Sequence, residues 1–206
     1  IVRDADVALS PGVGFGPGLG IGAAVATTQV STNVAATISQ GTINATTVTA
    51  AATMADGASP AATVKSYAGA GAFMIALGAS VAEAHIDNSL TAAIGGTINL
   101  TPAGTVTSSA SDTSGVRSDA FGATGSGGIA IGVSYAEAVK TSTIVSMITA
   151  GSLITGGAAV RVNSANAGSV FAGAIAGLGG GVGAGAGAHA VARDTGSVTS
   201  RIGAGS

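Results

Sequence analysis

One stretch of this chain occurs four times, and that recurrence limits the possible folds more than any other feature. It is clearest from Phe73 to Asn99, FMIALGASVAEAHIDNSLTAAIGGTIN. Related stretches are LGIGAAVATTQVSTNVAATISQGTIN from Leu19, GIAIGVSYAEAVKTSTIVSMITAGSLI from Gly128 and GAHAVARDTGSVTSRIGAGS from Gly187. Each carries an anchoring isoleucine, Ile38, Ile94, Ile148 or Ile202, and these are spaced 56, 54 and 54 residues apart. Val34, Leu90, Ile144 and Val198 stand four residues before the anchors, and Ala26, Ala82, Ala136 and Ala190 twelve before. Matched positions at a nearly fixed period are the signature of a repeat architecture. The copies divide the chain into 12–67, 68–121, 122–171 and a partial fourth at 172–206, with 1–11 as the tail of a preceding repeat. The fourth copy ends mid-pattern, so the chain reads as a piece of a longer protein.

Glycine placement selects strand over helix. Gly12, Gly14, Gly16, Gly18, Gly20 and Gly22 alternate with other residues, and so do Gly181, Gly183, Gly185 and Gly187. A period of two places such residues on one face of a strand. In a helix each would cost about 1 kcal/mol relative to alanine. The tracts TTVTAAAT, GTVTSSAS and STIVSMIT are rich in strand-favouring Thr, Val and Ile. The expected fold is all-β: a repetitive parallel β-solenoid, or a closely related stacked-sheet rod, in which each copy leans on its neighbours. A glycine face admits a second backbone layer, and the opposite Val, Leu, Ile and Phe face is expected to fill a narrow interior. Turns are expected at Asp56-Gly57-Ala58-Ser59-Pro60, Thr101-Pro102-Ala103-Gly104 and Gly156-Gly157. The polar run Ser108–Gly115 is expected on an outward corner.

Composition narrows the function. Of 206 residues, 47% are hydrophobic but only 8% charged, against about 25% in an average domain. A net charge of −2 supplies no basic field for nucleic acid. There is no cysteine, so disulfides and thiolate-bound metals are excluded. The uncharged runs 67–82 and 171–192 are too rich in glycine for membrane helices, and the six aromatic residues are too sparse for the girdles of a membrane barrel.

No catalytic, cofactor or metal site is expected. Glu83 and Glu137 occupy one repeat position, where the other copies have Thr27 and Val191; they read as stacked outward side chains. His85 and His189 are out of step and lack a partner at ligand spacing. The glycine pairs at 95–96, 127–128 and 156–157 and the run 179–181 lack the aspartates of calcium-binding β-rolls. No phosphate-cradling or G-x-S-x-G motif is present. The sequons at Asn44 and Asn99 read as Asn and Thr at a turn.

The pattern of a Gly/Ala-rich strand, a small A-x-A step, a polar step, then a hydrophobic residue and a terminal I-G resembles the repeats of leukotoxin-type filamentous adhesins. It is seen in ALGASVAEAHIDNSLTAAIGG and GAHAVARDTGSVTSRIG. These adhesins are large bacterial exoproteins of the two-partner, type V secretion class. Copies one and three depart from the pattern with Ser39 and Thr149 in place of the final glycine. The resemblance implies a secreted, rod-like, non-catalytic segment at the bacterial cell surface. Its expected partners are neighbouring repeats and host-cell or matrix glycans and proteins. The other reading is an extracellular filament or matrix subunit that polymerises through strand pairing.

Overall fold

A computed structural model describes residues 2–3, 6–56 and 60–204. The fold is an all-β solenoid of parallel strands in stacked sheets, and no helix occurs among the described residues. Consequently no helix is long and apolar enough to cross a membrane.

Each repeat makes one flattened coil. Long strands β3 (Leu19–Ile38), β6 (Ile75–Ile94) and β9 (Ile129–Ile148), of 20 residues each, form a front sheet that β13 (Gly183–Asp194) and β14 (Ser197–Ile202) extend. At about 3.3 Å per residue this sheet is about 65 Å wide. Behind its first half lies a sheet of β2 (Asp6–Gly16), β5 (Ala62–Ala72), β8 (Val116–Ser126) and β12 (Val170–Gly180). Behind its second half lies another, of β1 (Val2–Arg3), β4 (Thr42–Asp56), β7 (Thr97–Asp112), β10 (Leu153–Thr155) and β11 (Ala159–Asn166). The chain runs forward along the front, reverses at the distal tip, and returns along the two back sheets in turn. A second reversal, at the near tip, starts the next coil.

The anchoring isoleucines stack in one column, Ile38 beside Ile94, Ile94 beside Ile148 and Ile148 beside Ile202. Turn backbones prolong the ladders: the Gly95 N–H donates to the Ile38 carbonyl at 2.6 Å and the Thr97 N–H to that of Gly41 at 2.9 Å. Toward the distal tip, large side chains fill the space between layers, with Ile94, Ile98, Val106 and Ile148 buried together. Leu90, Met54 and Ile144 form the adjoining cluster.

The near half is built differently. A Cβ placed on Gly14 would lie deep inside the Ile21 carbonyl, and one on Gly22 inside that of Gly69. The layers are in backbone contact there, so these glycines are the interior. The expectation that Val, Leu, Ile and Phe fill that interior is therefore wrong. Val13, Phe15, Leu19, Ile21 and Val25 all point outward, and Phe15 is 82% exposed. Around Gly12, Gly14, Gly20 and Gly22 this leaves no room for a side chain, whereas in the later coils Thr124 and Leu178 fill the gap against Gly78 and Gly132. The second glycine run has the opposite sense, because Gly183, Gly185 and Gly187 face open space.

Further expectations change. Thr101–Gly104 does not reverse the chain; it is an irregularity within β7, where the register jumps from Ala45–Leu100 to Thr47–Thr105. Ser108, Asp112 and Ser114 are fully buried rather than on an outward corner, because they share the inward parity of Val106 and Ala110. Asn44 and Asn99 lie near strand starts and form a ladder. Asn99 Nδ2 donates to Asn44 Oδ1 at 2.8 Å, and Thr155 Oγ1 donates to Asn99 Oδ1 at 2.7 Å. This ladder is exposed, so Asn99→Ala should lower stability by only about 0.5–1 kcal/mol in urea unfolding. The turn expected at 56–60 falls largely on 57–59, outside the described residues. Gly156 and Gly157 mark a local bend, with φ of 72° and 84°, which only glycine adopts readily, but β10 and β11 on its two sides both run parallel along β7, so the chain does not reverse there.

Candidate interaction surfaces and a buried polar cluster

The outward apolar residues form a continuous surface because the ladder stacks them. Leu19, Ile75 and Ile129 make one column on the front face, and Ile21, Leu77 and Ile131 the next. Four such columns over three coils cover about 300 Å², near the size of the largest apolar patch on an ordinary monomer. The tip continues it with Phe73, Met74 and Val182, which are exposed at 79%, 62% and 84%. On the back, Phe15 borders a shallow groove floored by Gly69, Gly125 and Gly177.

The patch stops abruptly. The next front columns carry Thr27, Glu83, Glu137 and Val191, then Gln29, His85, Val139 and Arg193. Glu83 and Glu137 are adjacent in the ladder, as the repeat frame requires. His85 pairs with Val139 and His189 with Tyr135, so the structure does not bring the histidines together. At this border the Tyr135 hydroxyl donates to Glu137 Oε2 and its ring stacks on His189 at 5.6 Å. The hydrogen bond to Glu137, with lesser help from burial and nearby carboxylates, raises the Tyr135 pKa. On the back, Arg117 Nε donates to Asp119 at 2.6 Å and its guanidinium lies 4.6 Å from the Phe171 ring centre. That hydrogen bond holds the Arg117 pKa up.

Between the layers, serine hydroxyls bond the carbonyls of the facing sheet. Ser66 Oγ donates to Ala24 at 3.0 Å, Ser118 Oγ to Ala82 at 2.7 Å and Ser146 Oγ to Ser108 at 2.7 Å. A carbonyl has a second lone pair beyond the one its ladder bond uses, so these bonds join the layers without breaking either sheet.

The densest polar group lies at the corner between the two back sheets. Asp112 Oδ1 accepts from the Ser114 N–H at 2.9 Å and the Ser114 hydroxyl at 2.6 Å. Asp112 Oδ2 accepts from Asn88 Nδ2 at 3.0 Å and Ser142 Oγ at 2.6 Å. Lys140 Nζ stands 3.5 Å from Asp112 Oδ2 and donates to Asn166 Oδ1 at 2.7 Å. Lys140 and Asp112 are both fully buried. Burial alone would raise the Asp112 pKa, but the bonds from Ser114, Ser142 and Asn88 outweigh it and hold the pKa below the ordinary carboxylate value. Asn88 Oδ1 has no hydrogen-bond partner.

The sequence reading missed this cluster, yet a signal was present. Lys140 keeps the parity of Ala136, Ala138 and Ser142, the buried positions of β9. Among the described residues, no three His, Asp or Glu side chains form a group that could hold a metal ion. No family model, curated protein or solved structure matches this chain.

Proposed function

We propose that the chain is a stalk-like, non-catalytic binding segment of a large secreted bacterial surface adhesin. The observation that carries this reading is the ladder-stacked apolar surface, held outward on a backbone too tightly packed to withdraw it. Burial of such a surface against a partner drives association, and the flat strand scaffold loses little entropy on binding. The mechanism is mechanical: stacked coils set the spacing, and the near-tip edge makes the contact. The sharp border with the Glu83–Glu137 column gives that contact one polar side.

Adherence of the labelled chain to host-cell and matrix-coated surfaces tests the reading. Saturable binding is expected, and the Ile21→Asp, Ile131→Asp double variant should weaken it about tenfold or more. Both side chains point into solvent, so the fold should survive. Absence of binding by the unaltered chain, or equal binding by the variant, would count against the adhesin reading.

A second reading, an extracellular filament or matrix subunit, is favoured by the parallel, in-register ladder, which a strand of another chain could continue. Electron micrographs with light scattering separate the two. Fibres that lengthen with concentration would rank assembly first, whereas discrete particles of one size would remove it.

A further inference from the structure

The corner cluster brings together an amine, a carboxamide and a carboxylate. Lys140 reaches back from the front strand β9 with no solvent contact. Asn166, half-buried on β11, is the parallel register partner of Asp112 on β7. The ladder therefore stacks carboxamide on carboxylate, and Lys140 crosses the layers to meet both. Its hydrogen bond is to the carboxamide, at 2.7 Å, while Asp112 stands 3.5 Å away. Asp112 does not depend on the ammonium for hydrogen bonds, since Ser114, Ser142 and Asn88 supply four. The other end of the carboxamide is also held: Asn166 Nδ2 donates to the Asp194 carboxylate at 3.2 and 3.3 Å. Asp194 is exposed, so this amide nitrogen lies toward solvent while the amine stays dry.

We propose that this cluster is a self-modification site, in which Lys140 Nζ forms an intramolecular amide with Asn166 Cγ and releases ammonia. A lysine attacks as the neutral amine. Lys140 passes one proton to Asp112, leaving a neutral amine and a carboxylic acid. The amine lone pair attacks Asn166 Cγ after a rotation that carries Nζ from the oxygen to the face of the carbonyl. The Nζ–Cγ bond forms, and the carbonyl electron pair moves onto Oδ1. Asp112 gives its proton to Oδ1 and takes one from Nζ, and water on the Asp194 side carries the Oδ1 proton to Nδ2. The carbonyl re-forms as the Cγ–Nδ2 bond breaks, and the departing ammonia carries the last proton away from Asp112 as ammonium. An ammonium and a carboxamide thus become a secondary amide and ammonium ion, with no oxidant, metal or cofactor. The product ties the front layer to the back layer across 26 residues of sequence. Asp112 remains a carboxylate held by its four other hydrogen bonds.

Intact-mass measurement on the folded chain, with folding checked by its far-ultraviolet β signal, tests the proposal. The expected mass is below that of the sequence by one ammonia, and proteolysis should yield a branched peptide joining the Lys140 and Asn166 segments. Lys140→Arg and Asn166→Ala should each restore the unmodified mass. A folded chain at the full sequence mass after long incubation at neutral pH would overturn the proposal. So would a deficit that persists in Lys140→Arg, which would mark cyclisation of Asn166 onto its own backbone. Loss of one water, mapped to Lys140 and Asp112, would equally remove Asn166 as the acceptor.

Discussion

Gly22→Ala is expected to lower the unfolding free energy by about 3 kcal/mol, at the top of the usual range for overpacking. The added Cβ would sit deep inside the Gly69 carbonyl and close to the Gly14 backbone, so no flexible side chain can give way. Relief requires the front and back layers to part, and the contact they would lose runs through Gly12, Gly14 and Gly20 as well. Gly185→Ala is the control. Its Cβ meets nothing within 4 Å, and Gly185 has no positive φ. That substitution should change stability by less than about 0.5 kcal/mol. Coils of a solenoid can unfold separately, so urea midpoints should be paired with hydrogen exchange on β3 and β5. Equal tolerance at both positions would mean the layers are not in backbone contact.

Asp112→Ala is expected to cost about 3–5 kcal/mol, the range for removing one member of a buried ion pair. It leaves the Lys140 charge in the interior and strands the hydroxyls of Ser114 and Ser142 and the amide of Asn88. The same carboxylate gives a pH dependence of definite sign. Its folded pKa lies below the reference value of 3.8. The native state therefore binds fewer protons than the unfolded state as pH falls through that region. Its contribution is complete above the unfolded pKa and is lost as pH drops below about 4 toward the depressed folded pKa. Urea midpoints at pH 7 and pH 3 should fall further in the native chain than in Asp112→Ala. Parallel losses in both proteins would assign acid sensitivity elsewhere.

Much of the fold was legible in the sequence. The period placed Ile38, Ile94, Ile148 and Ile202 in one column, and register pairing shows them there. Alternating glycine and Thr-Val-Ile tracts gave strands, since helix would cost too much at Gly12–Gly22. The repeat frame also fixed that Glu83 stacks on Glu137 while His85 and His189 stand apart. All of these follow from spacing along the chain, which a parallel ladder copies directly into space.

The tertiary structure alone decided which side of each strand lies inside. Period-two alternation distinguishes two faces without naming the buried one. Gly12–Gly16 and Gly183–Gly187 look alike on paper, yet the first set abuts a facing backbone and the second faces solvent. Where small inner residues let the layers close to backbone contact, side chains such as Phe15 and Ile21 have only the outside. Where Ile94 and Ile98 hold the layers apart, the apolar residues are the core. The corner cluster follows the same rule. Asp112 belongs to a run expected on an outward corner, but its parity, like that of Lys140, turns it inward, and there each finds the partners that make its burial tolerable.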